Sequence, residues 1–284
     1  MLAPLRLLAL LPFPLIYLLS NFLAVFTFHV LRYRRTVVLD NLRLAFPEKA
    51  EKERKRIARN FYFHLTDLIL ESVKSLHISE SEIRKRLILD NPEVFEELHQ
   101  QNKGVIVVWG HYTNFEWMAM GLPLLIPQDT FAVYHPLSNA CFGKTVVQIR
   151  EQFGLQLYPM SETYPFMLNN PIKSPAYIFM ADQSPRADKV RFYSPFFGID
   201  TPVHKGVENL ARKLDHAVVF LYAERRKRGF YHLRARLLTT DPNRMDDMAI
   251  TNTHVRWLEE EIRRKPADWL WSHKRWKHRK KADG

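Results

Sequence analysis

Val105-Ile106-Val107-Val108-Trp109-Gly110-His111-Tyr112-Thr113-Asn114-Phe115-Glu116 is the stretch on which the reading of this chain turns. Four consecutive β-branched residues and a tryptophan predict a short, fully buried strand that ends at a glycine. A histidine leaves the strand, and capping residues follow within a few positions, so a helix is expected to begin near 114. Strand, turn and helix in that order suit an open α/β sheet, in which chemistry sits beyond the carboxyl ends of the strands. A neutral imidazole there can take a proton from an alcohol near neutral pH, and Glu116 can fix its tautomer and stabilise the imidazolium. With no serine or cysteine beside the pair, the attacking hydroxyl is expected to belong to the substrate. On one continuous helix, residues five apart point about 140° away from each other. The pair therefore converges only if His111 sits in the turn and Glu116 in the first helical turn. Thr113 to Glu116 also has capping-box spacing, under which Glu116 merely satisfies backbone donors.

Outward from this stretch the pattern alternates. Strands are expected at 104–109, 130–134, 155–158, 176–181, 191–196, 217–223 and 230–237. Helices are expected between them at 114–126, 140–153, 162–169 and 204–214, and a last one at 250–264. The region 36–76 reads as mostly helical with a break at Pro47, since proline cannot continue a helix. Strands separated by helices predict a single α/β domain, a mostly parallel or mixed central sheet flanked by helices. Asp182 follows Ala176-Tyr177-Ile178-Phe179-Met180-Ala181. Two polar side chains at two strand exits are what one shared cleft requires.

From Leu7 to Leu31 the chain carries no charged residue, long enough at about 1.5 Å per residue to cross a hydrocarbon core of about 30 Å. Pro12 and Pro14 break its first turns, and Ser20, Asn21 and His29 are polar. The reading is an N-terminal membrane-anchor helix with a basic flank over 1–35, either a signal anchor or a deeply embedded monotopic helix, ahead of a domain at 36–284. A buried core helix is the plain alternative. Arg32, Arg34 and Arg35 follow the stretch and only Arg6 precedes it, which puts the bulk of the chain in the cytoplasm by charge counting. A single cysteine, Cys141, rules out an intrachain disulfide framework and suits a reducing compartment. The net charge of +12 implies acidic partners. The run His273-Lys274-Arg275-Trp276-Lys277-His278-Arg279-Lys280-Lys281 concentrates that charge. No nucleic-acid recognition signature accompanies it, so attraction to an anionic membrane surface is the simpler account. No zinc spacing, phosphate-binding glycine loop or dinucleotide fingerprint is present, and no metal or redox cofactor is expected.

Gly110-His111 through Glu116 resembles the His-x4-Asp/Glu motif of glycerolipid-type acyltransferases, in the Glu form found in the late acyltransferases of lipid A biosynthesis, the lauroyl/myristoyl transferase family. The resemblance runs along nearly the whole chain. Tyr33 to Val38, Asn41 to Pro47, Ala181-Asp182-Gln183-Ser184, Phe196-Phe197-Gly198 with Thr201 and Gly206, and Pro266 to Lys277 are similar to that family's blocks in the same order. The resemblance implies transfer of a fatty acyl chain from an acyl thioester, usually on acyl carrier protein, to a hydroxyl of a glycolipid acceptor, a lipid A precursor. His111 would be the general base, oriented by Glu116. It also implies substrate-binding roles for Arg150 and Asp182. Arg150 can grip a phosphate bidentately or stabilise developing oxyanion charge. Asp182 has the plainer reading of a loop residue. Where the family often has an arginine after the next strand, this chain has His135, within Tyr134-His135-Pro136. Another membrane lipid as acceptor, or a non-catalytic lipid-binding protein, remain the alternative readings.

Overall fold

All five residues of Val105–Trp109 are buried, because the sheet is covered on both faces. Ile106 and Val108 face one apolar cluster, while Val105, Val107 and Trp109 face the other. Successive side chains of a strand point to opposite faces, so an unbroken apolar run marks a doubly covered strand. The computed structural model describes residues 3–134, 140–169 and 171–280. His135 and Lys281 lie outside the described residues, and so does the side chain of Cys141.

The chain opens with helices α1 (Ala3–Leu10), α2 (Phe13–Phe26, continued by a wider turn over Thr27–Leu31), α3 (Arg35–Ala45) and α4 (Glu51–Lys74). The break at Pro47 falls between α3 and α4, as the sequence predicts. A segment to which the sequence reading assigned nothing supplies α5 (Glu80–Arg86), β1 (Leu87–Leu89) and α6 (Glu93–Gln100). The alternating part follows: β2 (Val105–Trp109), α7 (Phe115–Gly121), β3 (Thr130–Tyr134), α8 (Ala140–Glu151), β4 (Gln156–Pro159), α9 (Met160–Asn169) and β5 (Ala176–Met180). Next come β6 (Phe192–Phe196), β7 (Ile199–Val203), α10 (Gly206–Leu214), β8 (Ala217–Lys227), β9 (Phe230–Thr239) and α11 (Ala249–Arg264).

The fold is α/β, and its main sheet has the order β1-β9-β8-β2-β5-β3-β4. Its pairs are parallel except β8 with β9. That exception is a hairpin turning at Arg228-Gly229, where Gly229 takes φ +73°, a left-handed conformation that glycine adopts without strain. The strand expected at 191–196 is β6, which leaves the main sheet and pairs antiparallel with β7 alone. Helix α7 is shorter than the expected 114–126 and tightens into a 3-10 turn over Leu122–Leu124, where Pro123 cannot donate to the α ladder.

The apolar N-terminal segment is docked along the body. Helix α2 turns Ile16, Ser20 and Ala24 inward, a four-residue spacing that makes one stripe on a helix. Its partner is α4. Ser20 donates to Asp67, and Tyr17 donates to Glu71 at 2.8 Å. Lys74 donates to the carbonyls of Ala9 and Leu11, freed by the bend at Pro12.

Candidate active site

Strands β2 and β5 are parallel neighbours, so their carboxyl ends release His111 and Asp182 side by side. The Asp182 carboxylate receives the His111 backbone N–H at 2.8 Å and lies 2.6 Å from His111 Nδ1. It also accepts the indole N–H of Trp269 at 2.8 Å. The turn between β2 and α7 is tightly specified. A Cβ on Gly110 would meet Leu258 at 2.7 Å and Asp182 Oδ2 at 3.1 Å, so the close approach of backbone to carboxylate needs glycine there. Thr113 takes φ +52°, which re-aims the chain into the helix at the strain of a left-handed non-glycine residue. Its N–H donates to the Asp268 carbonyl at 2.8 Å, and Leu270 N–H donates to the His111 carbonyl at 3.0 Å. The C-terminal segment thus splints the histidine turn from behind.

Three donors, one of them the His111 ring, set the charge of Asp182. Burial alone pushes a carboxyl group upward, but the His111 charge and these hydrogen bonds hold Asp182 at about 2. For His111, burial pulls the pKa down. The Asp182 charge and its hydrogen bond outweigh that pull, with a further contribution from Glu116, and the imidazole is raised above its usual value. With Nδ1–H held by Asp182, the neutral ring presents its lone pair at Nε2, where Gln183 Nε2 approaches to 3.3 Å. The Phe115 ring meets the imidazole edge-on at 4.8 Å and fixes its plane.

The geometry departs from two expected placements. The carboxylate on His111 Nδ1 is that of Asp182, 71 residues away in sequence, and not that of Glu116. Nor does Asp182 face an open substrate position, since it is buried against His111 and Trp269. Glu116 is instead clamped by Arg150, whose Nε and Nη2 donate to its two oxygens at 2.8 and 2.6 Å. The capping box does not form. Asn114 is the N-cap, accepting Trp117 N–H at 2.9 Å, which frees Glu116 to face Arg150.

The Glu116–Arg150 pair forms part of the wall of an apolar groove of about 460 Å³, together with Leu5, Leu68, Ile69, Ile149 and Leu270. That size and lining suit a hydrocarbon chain with its polar end at the charged pair. Among the described residues, no cluster of three His, Cys, Asp or Glu side chains could hold a metal ion.

The sequence model of the family described as bacterial lipid A biosynthesis acyltransferases matches residues 1–278. The chain belongs to that family. It is 23% identical over 273 residues to the lipid A biosynthesis palmitoleoyltransferase of Escherichia coli K12, covering 95% of this chain and 87% of that one. A lipid A biosynthesis acyltransferase of Shigella flexneri is similar at 23% over the same coverage. The lauroyltransferase of Escherichia coli K12 is 19% identical over 276 residues, with the same shares of both chains.

In this acyltransferase a second buried acid stands behind the histidine turn. Glu71 of α4 is fully buried and accepts from Tyr17 at 2.8 Å, Tyr231 at 2.7 Å and the N-cap residue Asn114 at 2.6 Å. Burial outweighs these donors and pushes Glu71 up to about 7. Trp117 of α7 donates to the Glu71 carbonyl and to Ser75. None of this was read from the sequence, because its members come from four elements without any shared spacing. Part of the C-terminal basic run also proves internal. Arg275 is buried and donates to the Pro202 carbonyl at 2.7 Å, and Trp276 donates to Thr201. Lys274, Lys277, Arg279 and Lys280 of that run remain exposed.

Proposed function

We propose that this acyltransferase is membrane-associated and acts at the cytoplasmic face of the inner membrane. It transfers a fatty acyl chain from an acyl thioester on acyl carrier protein to a hydroxyl of a lipid A precursor. His111 Nε2 takes the hydroxyl proton as that oxygen attacks the thioester carbonyl. The C–S bond then breaks, and the departing thiolate recovers the proton from the imidazolium. Asp182 holds the ring in the productive tautomer and offsets the charge that forms on it. Arg150, gripped by Glu116 at the groove wall, presents its cation to the oxyanion or to an acceptor phosphate. General-base help of this kind is typically worth about 10²–10⁴-fold.

The observation that carries this reading is the 2.6 Å contact between His111 Nδ1 and a buried carboxylate, close to an apolar groove walled in part by a charged pair. Detergent-solubilised protein would be incubated with acyl-acyl carrier protein and a panel of acceptors, the products being weighed by mass spectrometry. One added acyl chain on a lipid A precursor is expected, lost in His111→Ala. Transfer to a lysophospholipid alone would replace the acceptor, and undiminished transfer by His111→Ala would remove the base.

A further inference from the structure

The apolar stretch Phe13–Leu31 is long enough to span a bilayer, yet both of its ends are held by the same body. At the first end, the Arg86 guanidinium stacks on the Phe13 ring at 3.5 Å, and Arg228 stacks on the Tyr17 ring at 4.5 Å. Tyr17 also abuts Gly229, at the tip of the β8–β9 hairpin. At the other end, Arg35 covers the Phe28 ring at 4.6 Å, Tyr62 donates to the Tyr33 carbonyl, and Arg34 donates to the Ser272 carbonyl. Between them, Ser20 is fixed to Asp67, which Arg228 also grips. A helix crossing the bilayer would carry one set of these cations and carboxylates into hydrocarbon, where unsatisfied charge is costly.

The opposite side of the helix is bare. Leu15, Leu18, Phe22 and Val25 are exposed, with Leu18 and Phe22 at 66% each, and their spacing of three and four residues makes one outward stripe. The same N-terminal segment gives Leu5 to the wall of the groove beside Arg150, and exposed Ile69 lines that groove too. An apolar stripe bounded at both ends by arginines is complementary to a bilayer whose headgroups are anionic and whose interior is hydrocarbon.

We propose that α2 lies in the plane of the membrane interface and does not cross it, with the Leu15–Leu18–Phe22–Val25 stripe sunk among acyl chains and the groove opening at the same surface. This rests on the membrane association proposed above and not on the acyl-transfer reading. The test uses the full chain with Cys141→Ser and a single cysteine, Leu7→Cys before α2 or Lys52→Cys on the body, labelled by a membrane-impermeant maleimide. Both cysteines are expected to react in inverted inner-membrane vesicles and neither in intact spheroplasts. Reaction of Leu7→Cys only from the spheroplast side would establish a spanning helix and overturn the proposal.

As a second readout, Leu18→Glu/Phe22→Glu is expected to lower binding to vesicles containing anionic phospholipid by at least about tenfold, while acyl transfer in detergent is unchanged. Undiminished vesicle binding, or a wild-type dimer in detergent-free buffer that covers the stripe, would also overturn it. Acyl transfer is scored separately, so an inactive protein with the expected labelling would refute the enzymatic reading and leave the topology standing.

Discussion

Asp182 and Glu71 are both buried carboxylates, and both grip the turn that carries His111, yet their surroundings drive them in opposite directions. Asp182 faces an imidazole that can become a cation, and it is held at about 2. Among the described residues Glu71 receives neutral donors, from two tyrosines and an asparagine, with Asp67 nearby, and it is pushed up to about 7. Burial is common to the two sites, so the partner decides the charge. One acid is built to stay ionised beside the imidazole. The other hovers between states while tying the N-cap of α7 to the N-terminal helix.

The sharpest way to break this comparison is Asp182→Asn. An amide can hold the ring in the wrong tautomer and offers no charge to the imidazolium. On the proposed role, a loss of acyl transfer of about 10⁴-fold is expected, the size found when the acid behind the histidine of a Ser-His-Asp triad becomes an amide. Residual activity should shift too. The proposed base must be neutral to act, and Asp182 raises the His111 pKa, so the acidic limb of the kcat/KM profile is expected to move to lower pH in the variant. An unmoved limb would show that Asp182 does not set the imidazole charge.

Next in size is Arg150→Lys, which keeps the charge but loses the fork that meets both Glu116 oxygens. A fall of about 10–100-fold in kcat/KM is expected, about 1.4–2.7 kcal/mol. A change confined to KM would assign Arg150 to substrate binding, and one confined to kcat would assign it to the oxyanion.

Glu71→Gln should leave catalysis nearly intact and cost about 1–3 kcal/mol, because the new amide N–H meets a buried donor. The pH dependence separates the two acids further. Asp182 is depressed from 3.8, so its contribution to stability is present above that pH and lost as pH falls through about 2. Glu71 is raised from 4.5, so its contribution is present below pH 4.5 and lost as pH rises through about 7. Thermal unfolding from pH 4.5 to 7 should show a decline in Tm that Glu71→Gln flattens.

The smallest effect is expected from Asn114→Ala, which removes the cap of α7 and one donor to Glu71. About 0.5–2 kcal/mol of stability should be lost, with a several-fold drop in activity at most. A larger drop would show that the Glu71 network positions His111 as well as supporting the fold.

How much of this was legible in the chain follows from the range of each interaction. The strand exits at His111 and Asp182 were legible because apolar runs ending at polar residues are local signals. The Glu116–Arg150 clamp was not, since it needs α8 to approach α7 across 34 residues of sequence. Spacing suggested a His111–Glu116 pair, but the identity of the N-cap decides which way Glu116 points, and Asn114 took that place from Thr113. Arg275 and Trp276 were hidden inside a basic run because composition cannot tell a solvated cation from one packed over Phe196 at 5.5 Å. The helix breaks at Pro12 and Pro47 were readable, whereas Pro14, expected to break the helix as well, is accommodated in the first turn of α2, and β1 was invisible at three residues long.

The clamp of Tyr17 and Ser20 on α4 bears on how this protein can be handled. Trimming the chain before Arg34 to obtain a water-soluble form would strip Glu71 and Asp67 of two donors and take Phe13, one of its two stacked rings, from the Arg86 guanidinium. The exposed wound would lie next to the cap of α7, so a shortened preparation is expected to unfold or clump before it becomes tractable. Polar replacements on the outer side of the intact helix are the better route to crystals.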